Sequence, residues 1–331
     1  MNPMHHSTRR RDALLALGAA AAGLALPARA ADAYPSRPIT LVVGFPPGGS
    51  NDIVARLFAP TLGEILGQTV IVENRPGANA IIGTEHTARS APDGYTLTLG
   101  NASPLVISPF TYPKMPYDTL RDLTPITTVA GNAELVALNP SVPVKDLKEL
   151  TALAKTRDVT IASSGNGGLP HLAIELLKLA TGGRIVHVPY KGAGPAITDA
   201  IGGHVDGIIV DIAGLYEHVR AGRLKAVAVT DKVRSSVLPE VPTSVEQGMP
   251  SLIAVNWFGI MGPAKLPPEI VKTVHAALVK TAANPELVEK LRKLGIEPNV
   301  QKSPEAFVAF IKEDLLRWGE VAKRSGARAD A

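Results

Sequence analysis

Short apolar runs alternate with amphipathic stretches along most of the chain. The run from Pro38 to Val43 is rich in β-branched residues, and from Asn51 the apolar side chains recur every 3.6 residues until Gly67. The same order of strand, glycine-rich turn and helix recurs in the segments 68–90, 158–183 and 184–203. This order predicts α/β units whose right-handed crossovers form parallel sheets.

Two longer apolar segments interrupt this pattern. One runs through Gly131, and the other lies near residue 255. We interpret both as crossings between two α/β lobes, with residues 31–130 plus 256–331 in lobe 1 and residues 131–255 in lobe 2. The amphipathic helices predicted after the second crossing are typical of packing on the outer face of lobe 1.

The first thirty residues are typical of an export signal. A basic region at Arg9 to Arg11 precedes an apolar stretch from Ala13 to Leu26, and Ala28-Arg29-Ala30 fits a cleavage site. The apolar stretch is shorter than the roughly 20 residues that span a bilayer, which argues against a membrane anchor. We expect cleavage after Ala30 and a mature protein in the periplasm. Both the Sec and the twin-arginine route stay open.

Charge and composition narrow the functional classes. Removing residues 1–30 leaves 30 basic and 29 acidic residues, so most of the positive excess belongs to the signal. No basic stripe with interleaved aromatic residues remains, which argues against nucleic acid or an anionic membrane as a partner. The sequence contains no cysteine, which excludes a disulfide, a thiolate metal site and a lipid-anchored cysteine within it.

Two glycine-rich loops are candidate anion sites. Each follows a predicted strand and begins a helix: GFPPGGSND at residues 44–52 and SSGNGGLPH at residues 163–171. Backbone N–H groups and the positive end of a helix dipole favour an anion there. If the loops face each other, they can hold the two ends of one carboxylated molecule without a cationic side chain.

Six motifs in order resemble the Bug family, the TctC-like extracytoplasmic receptors of tripartite tricarboxylate transporters. They are FPPGGSND, ENRPGANAIIGTE, APDGYTLTLGN, SSGNGGLPHLAIELL, VPYKGAGPAITDAIGGHVD and AVAVTDKVRSSVLPEVPTSVEQG, and the resemblance runs from about residue 35 to 325. It implies a two-lobed periplasmic-binding-protein fold, type II-like, with two interlobe crossings. It also implies closure on a small carboxylated solute and tripartite tricarboxylate-type membrane subunits as partners.

We expect ligand contacts from both lobes. The candidate residues lie at predicted strand ends, in the loops and at helix starts: Phe45, Gly48, Gly49, Ser50, Asp52, Ala78, Asn79, Asn101, Ser103, Ser163, Ser164, Gly165, Gly168, His171, Tyr190 and Asp211. Some have a structural alternative. Ser50 is also suited to capping the helix, Asp52 to pairing with its dipole, and His171 to bonding its own loop.

Asp211 ends the apolar strand GIIVD, at the edge where ligands of open sheets bind. It resembles a family aspartate that orients a loop or a polar group of the ligand. Ile212 stands where an asparagine commonly follows that aspartate, so the role of Asp211 stays open. Lys191 either reaches the cleft or is a solvated surface charge.

Catalysis has little support in the sequence. A hydrolase requires a nucleophile with a positioned base, but the sequence has no G-x-S-x-G motif and no cysteine. The two loops lack the lysine of a P-loop and the G-x-G-x-x-G pattern, and His187 and His204 lack a metal-binding spacing. We predict a monomeric periplasmic solute receptor with no cofactor and no metal. The alternatives are a sensory receptor that signals to a membrane kinase, and an exported hydrolase or isomerase.

Overall fold

The computed structural model describes residues 34–329, so the predicted export signal and its cleavage site lie outside the described residues. From Arg37 onward the described chain forms one compact unit. Its strands are β1 (Ile39–Val43), β2 (Val70–Asn74), β3 (Thr96–Asn101), β4 (Leu123–Leu138), β5 (Val159–Ser163), β6 (Ile185–Pro189), β7 (Gly207–Asp211), β8 (Lys225–Val229), β9 (Val255–Pro263) and β10 (Glu297–Pro298).

Helices follow most strands and cover the sheet. They are α1 (Ser50–Leu66), α2 (Ile81–Ala88), α3 (Ser108–Thr111), α4 (Leu147–Thr156), α5 (Leu169–Thr181), α6 (Ala193–Gly202), α7 (Ile212–Arg220), α8 (Pro268–Ala282), α9 (Pro285–Arg292) and α10 (Pro304–Ser325). A π-helical turn, Ser103–Ile107, precedes α3. No helix among residues 34–329 is long and apolar enough to cross a membrane.

The predicted strand, turn and helix units are confirmed. Helix α1 ends where the sequence places it, because Gly67 adopts a left-handed conformation with a φ of 72°. Helix α5 begins at Leu169 with Pro170 in its first turn, where proline is favoured. The apolar segment through Gly131 forms a single strand, β4, of 16 residues.

The sheet joins two parallel arrangements through antiparallel strands. Strand β1 pairs in parallel with β2 and β3, and β5 pairs in parallel with β6 and β7. Strand β4 pairs antiparallel with β9 as far as Ala133, and from Glu134 it pairs with β7 instead. One long strand therefore belongs to both halves of the sheet.

The largest buried side chains pack around the end of the chain. Trp257 of β9 lies edge-on to Phe307 of α10, with ring centroids 5.6 Å apart, and its indole N–H donates to Asp314 at 2.8 Å. Helix α10 also contacts α5, which belongs to the predicted lobe 2. The expectation that the C-terminal helices pack on lobe 1 is therefore incomplete, because the apolar face of α10 covers residues of both halves.

Candidate functional site

Both glycine-rich loops border one cavity of about 470 Å³. Most of the candidate residues line it: Phe45, Gly48, Gly49, Ser50, Asn79, Asn101, Ser103, Ser164, Gly165, Gly168 and Asp211. The sequence analysis did not select other residues that line it: Pro46, Pro47, Asn51, Glu134, Asn166, Leu169, Pro170, Gly192, Ala193, Gly194, Pro195 and Asn256. Lys191, whose position the sequence left open, is exposed and also lines the cavity.

The start of α1 borders the cavity at one side. Its N-cap is Gly49, and no side chain caps the helix, so the N-cap interpretation of Ser50 is wrong. The N–H groups of a first helical turn have no acceptor inside the helix. The positive end of the α1 dipole therefore adjoins the cavity at Gly49, Ser50 and Asn51.

Asp52 lies behind this loop and not on the cavity surface. Its carboxylate accepts hydrogen bonds from the N–H of Gly48 at 3.0 Å, from Asn74 Nδ2 at 2.8 Å and from Arg56 Nε at 3.0 Å. Burial opposes ionisation, but the hydrogen bonds outweigh it and lower the pKa of Asp52. Its carboxylate fixes the loop, as the structural alternative for this residue suggested.

A histidine pair supports the second loop from behind. The rings of His171 and His187 stack with centroids 4.0 Å apart, and His171 Nδ1 accepts the N–H of Gly167 at 3.0 Å. His187 Nε2 lies 2.6 Å from Ser163 Oγ. Burial, followed by the nearby His171 and Lys178, lowers the pKa of His187 to about 3, so this ring is neutral at pH 7.

These contacts use up several donors of the second loop. A neutral His187 donates to Ser163 Oγ, and Ser163 donates onward to the carbonyl of Gly165 at 2.9 Å. The N–H groups of Gly165 and Gly167 are also bonded within this support. Ser163 and His171 thus lie off the cavity surface, and their predicted ligand contacts stay predictions.

Two further candidates also lie off the cavity surface. Tyr190 donates its hydroxyl to Asp199 at 2.7 Å, and this bond with an anion raises the pKa of Tyr190 to about 12. Ala78 begins a run of three left-handed residues with Asn79 and Ala80, at φ values of 46°, 54° and 69°. This turn carries Asn79 to the cavity wall, where its Nδ2 lies 3.4 Å from the carbonyl of Gly167.

Hydrogen bonds cross the cavity between residues far apart in the chain. Ser50 Oγ donates to Asp211 Oδ2 at 2.6 Å, and the N–H of Leu169 donates to Ser103 Oγ at 3.0 Å. The second bond occupies an N–H at the start of α5, within the loop that the sequence predicts as an anion site. Ser50 and Ser103 therefore connect the strands of one half of the sheet to those of the other.

The remaining wall, which we call the strand-end wall, is rich in hydrogen-bond acceptors. It is formed by Asn101, Asp211 and Asn256 at the ends of β3, β7 and β9, together with Glu134 from the interior of β4. Glu134 of β4 pairs in register with Asp211 of β7, and their carboxyl groups are close enough to shift each other's pKa. Burial raises the pKa of both groups, and the proximity of Asp211 raises that of Glu134 further. Hydrogen bonds from Ser50, Asn256 and Glu134 partly offset this for Asp211. Glu134 therefore binds a proton more firmly than an exposed glutamate does.

Sequence comparison assigns the chain to a family. The sequence profile described as "Tripartite tricarboxylate transporter family receptor" matches residues 54–327. The chain belongs to this family. Protein BugT of Bordetella pertussis (strain Tohama I) is 39% identical over 319 residues, covering 96% of this chain and 97% of BugT.

Solved structures agree with the family assignment. The periplasmic binding protein BugD is 33% identical and has a TM-score of 0.80, covering 90% of this chain and 100% of that chain. Rpa4515 of R. palustris, solved with adipate, is 32% identical with a TM-score of 0.82 and the same coverage. The resemblance to the Bug family and the two-lobed α/β fold are thereby confirmed. The family is described as one of transporter receptors, and its solved member BugD is a periplasmic binding protein.

Proposed function

We propose that this protein is a periplasmic receptor that captures a small carboxylated solute and delivers it to a tripartite tricarboxylate-type membrane transporter. The observation that carries the proposal is the convergence of three helix N-termini on one cavity. Residues at the starts of α1, α5 and α6 line it together. Each N-terminus favours a negative charge by about 0.3–1 kcal/mol when exposed and by up to about 2 kcal/mol when partly buried.

The carboxylate is held mainly by the starts of α1 and α6 in this proposal. At α5 the N–H of Leu169 is bonded to Ser103, and Pro170 has no N–H. At α6 the cavity is bordered by Gly192, Ala193 and Gly194, and a Cβ built on Gly194 meets no atom within 4 Å. The N–H of Gly192 is bonded to the carbonyl of Ser164 at 3.0 Å, so in this proposal the N–H groups of Ala193 and Gly194 meet the anion.

Binding is coupled to closure of the two lobes. We place the lobe boundaries at residues 130/131 and 255/256, so that β4 and the start of β9 are the crossings. The change in the partner of β4 at Ala133 and Glu134 supports this division. The hydrogen bonds at Ser50 and Ser103 then form between the lobes in a closed arrangement. Adipate in the structure of Rpa4515 supports a carboxylate as the solute class.

A thermal-shift screen over mono-, di- and tricarboxylates tests the binding function. A ligand at 100 times its dissociation constant stabilises the folded protein by about 2.7 kcal/mol. We expect several carboxylates to raise the melting temperature, and their uncharged amides to lose the effect. Equal shifts with the acids and their amides would contradict an anion site. Loss of solute uptake in cells that lack this protein, with restoration by the wild-type chain, tests the transport step separately.

A further inference from the structure

Three buried side chains present unpartnered oxygen atoms at the strand-end wall of the cavity. Among the described residues that line the cavity, Asn51 Oδ1 at the start of α1 has no hydrogen-bond partner, and neither do the three oxygens of this wall, Asn101 Oδ1, Glu134 Oε2 and Asn256 Oδ1. The three residues are 3%, 1% and 4% exposed, and all line the cavity. A buried acceptor without a donor costs about 1–3 kcal/mol. These atoms therefore mark positions where a donor is missing from the protein itself.

The orientation of one of these oxygens is fixed by Asp211. Asn256 donates its Nδ2 to Asp211 Oδ1 at 3.2 Å, and an ionised carboxylate can only accept. The amide of Asn256 is thereby oriented, and its Oδ1 remains an acceptor. Glu134 pairs in register with Asp211, and its Oε2 is a buried carboxyl oxygen without a hydrogen-bond partner. We call Glu134, Asp211 and Asn256 the acceptor cluster.

The acceptor cluster contains two carboxyl groups without a cation beside them. Within residues 34–329, neither Glu134 nor Asp211 forms an ion pair with a lysine, an arginine or a histidine. Burial raises the pKa of both carboxyl groups, because no nearby positive charge stabilises their ionised forms. Lys191 lines the cavity but is exposed to solvent. The wall thus favours a donor, and a positively charged donor most of all.

We propose that the solute is a monocarboxylate that also bears an ammonium or hydroxyl group, and that the acceptor cluster binds this donor. The proposal rests on the receptor function proposed above and specifies its solute class. Helix N-termini bind the carboxylate, and Glu134 Oε2 and Asn256 Oδ1 accept from the second group.

A second carboxylate is disfavoured at this wall. It brings only acceptors, so the two oxygens stay unpartnered and lose access to water when the lobes close. It also places a negative charge near Asp211, in a site where charges are weakly screened. The chain is therefore expected to differ in solute preference from Rpa4515, which was solved with adipate.

Two series of linear acids with matched ends test the proposal on the whole mature protein. The first is adipate, 6-aminohexanoate, 6-hydroxyhexanoate and hexanoate, and the second is the corresponding set from succinate to butyrate. Dissociation constants from titration calorimetry are compared within each series. We expect the amino acid of at least one series to bind about tenfold or more tightly than the dicarboxylate, as one charge-assisted hydrogen bond implies. The hydroxy acid should lie between them.

Variants of Glu134 link the preference to the acceptor cluster. Glu134→Met removes the acceptor at similar size and is expected to reduce the preference for the amino acid to less than about threefold. Glu134→Gln keeps an oxygen in the place of Oε2 and is expected to retain much of the preference for the amino acid over the dicarboxylate. Glu313→Gln, an exposed carboxyl of α10, is the matched control. Each variant must melt at a temperature close to that of the wild type before its affinities are compared. If Glu134→Met does not fold, the affinities of the wild-type protein for the two series decide whether the solute is preferred with a donor group.

The outcomes separate this proposal from the receptor function. Equal or tighter binding of both dicarboxylates overturns the donor proposal and leaves the carboxylate receptor intact. Binding of hexylamine as tight as that of 6-aminohexanoate supports the acceptor cluster but contradicts the carboxylate site. A preference for the amino acid that survives Glu134→Met overturns the role of the cluster.

Discussion

Ser50 and Asp211 lie 161 positions apart in the chain, and their side chains are joined by a hydrogen bond of 2.6 Å. Ser50 belongs to the first turn of α1, and Asp211 ends β7. Asp211 in turn contacts Asn256 and Glu134. One carboxylate therefore connects the start of α1 with strands β4, β7 and β9, around a single cavity.

We predict that Ser50→Ala shifts the protein toward an open arrangement. The change removes the bond between α1 and Asp211 and leaves the Asp211 carboxylate with fewer donors. Small-angle scattering of the unliganded variant should give a larger radius of gyration than the wild type. Ser251→Ala, an exposed serine outside the cavity lining, is the control. Equal radii for Ser50→Ala and the wild type would contradict a closing role for this bond.

Glycine at the start of α6 is predicted to be necessary for binding and not for folding. A Cβ on Gly194 meets no atom within 4 Å, so Gly194→Val adds its branch to the cavity without a clash. Carboxylate affinity should fall by about tenfold or more, because backbone donors become covered. Gly202→Val, at the other end of the same helix, should bind normally. A loss of affinity in both variants would indicate a helix effect instead of a blocked site.

Gly49→Val tests the start of α1 in the same way. A Cβ on Gly49 lies 3.9 Å from the carbonyl of Pro46, and the φ of −81° suits any residue. We expect native melting and weakened binding in calorimetry. Lys191→Ala should cost less affinity, because a hydrated, exposed ammonium gains little from a solvent-facing contact. The reverse order of effects would show that a cation, and not the backbone, holds the anion.

Asp52→Ala is predicted to lower both stability and binding. It removes the acceptor of the Gly48 N–H and one of the two acceptors of Asn74 Nδ2, and a hydrogen bond to a charged group contributes about 1.5–3 kcal/mol. Urea unfolding measures the change in free energy of unfolding, and calorimetry measures the affinity. Glu286→Gln, which breaks an exposed pair with Lys290, should be nearly neutral in both. Normal binding by a destabilised Asp52→Ala protein would show that the loop conformation fixed by Asp52 does not contribute to ligand affinity.

His187 is expected to make stability fall in acid. Its pKa is about 3 in the folded protein and about 6.5 when unfolded, so the unfolded chain binds more protons between these values. The contribution of His187 is complete above pH 6.5 and is lost as the pH falls toward 3. His187→Gln should reduce this dependence in urea unfolding from pH 7 to pH 4. An unchanged dependence in the variant would contradict a neutral, buried His187.

The sequence predicted the glycine-rich loops that border the cavity better than it predicted the strand-end wall. Glycine-rich turns after β-branched runs have a local signature, so residues such as Ser50 and Gly165 were found from their neighbours alone. Glu134 and Asn256 lie inside apolar runs, and nothing local distinguishes a polar residue that faces a cavity from one that is bonded in the core. Their meeting depends on the register of β4 with β7 and β9.

The role of His187 was also beyond the sequence. Its ring supports the second loop only because β6 lies beside β5 and brings it next to Ser163. The structural role of Asp52 was more predictable than that of His187, because its place in the first turn of α1 already suggested a structural partner. Its hydrogen bond to Asn74, which comes from β2, was not visible in any local pattern.

Helix α10 contacts both halves of the sheet, and the two tryptophans of the chain, Trp257 and Trp318, are buried on or beside it. Trp257 is bonded to Asp314 of α10, and both indoles lie in the same apolar cluster as Leu172 of α5. A shift of α5 relative to α10 changes the surroundings of both rings. Intrinsic fluorescence of the unlabelled protein should therefore report solute binding directly, and stopped-flow mixing can time the closure without any introduced dye.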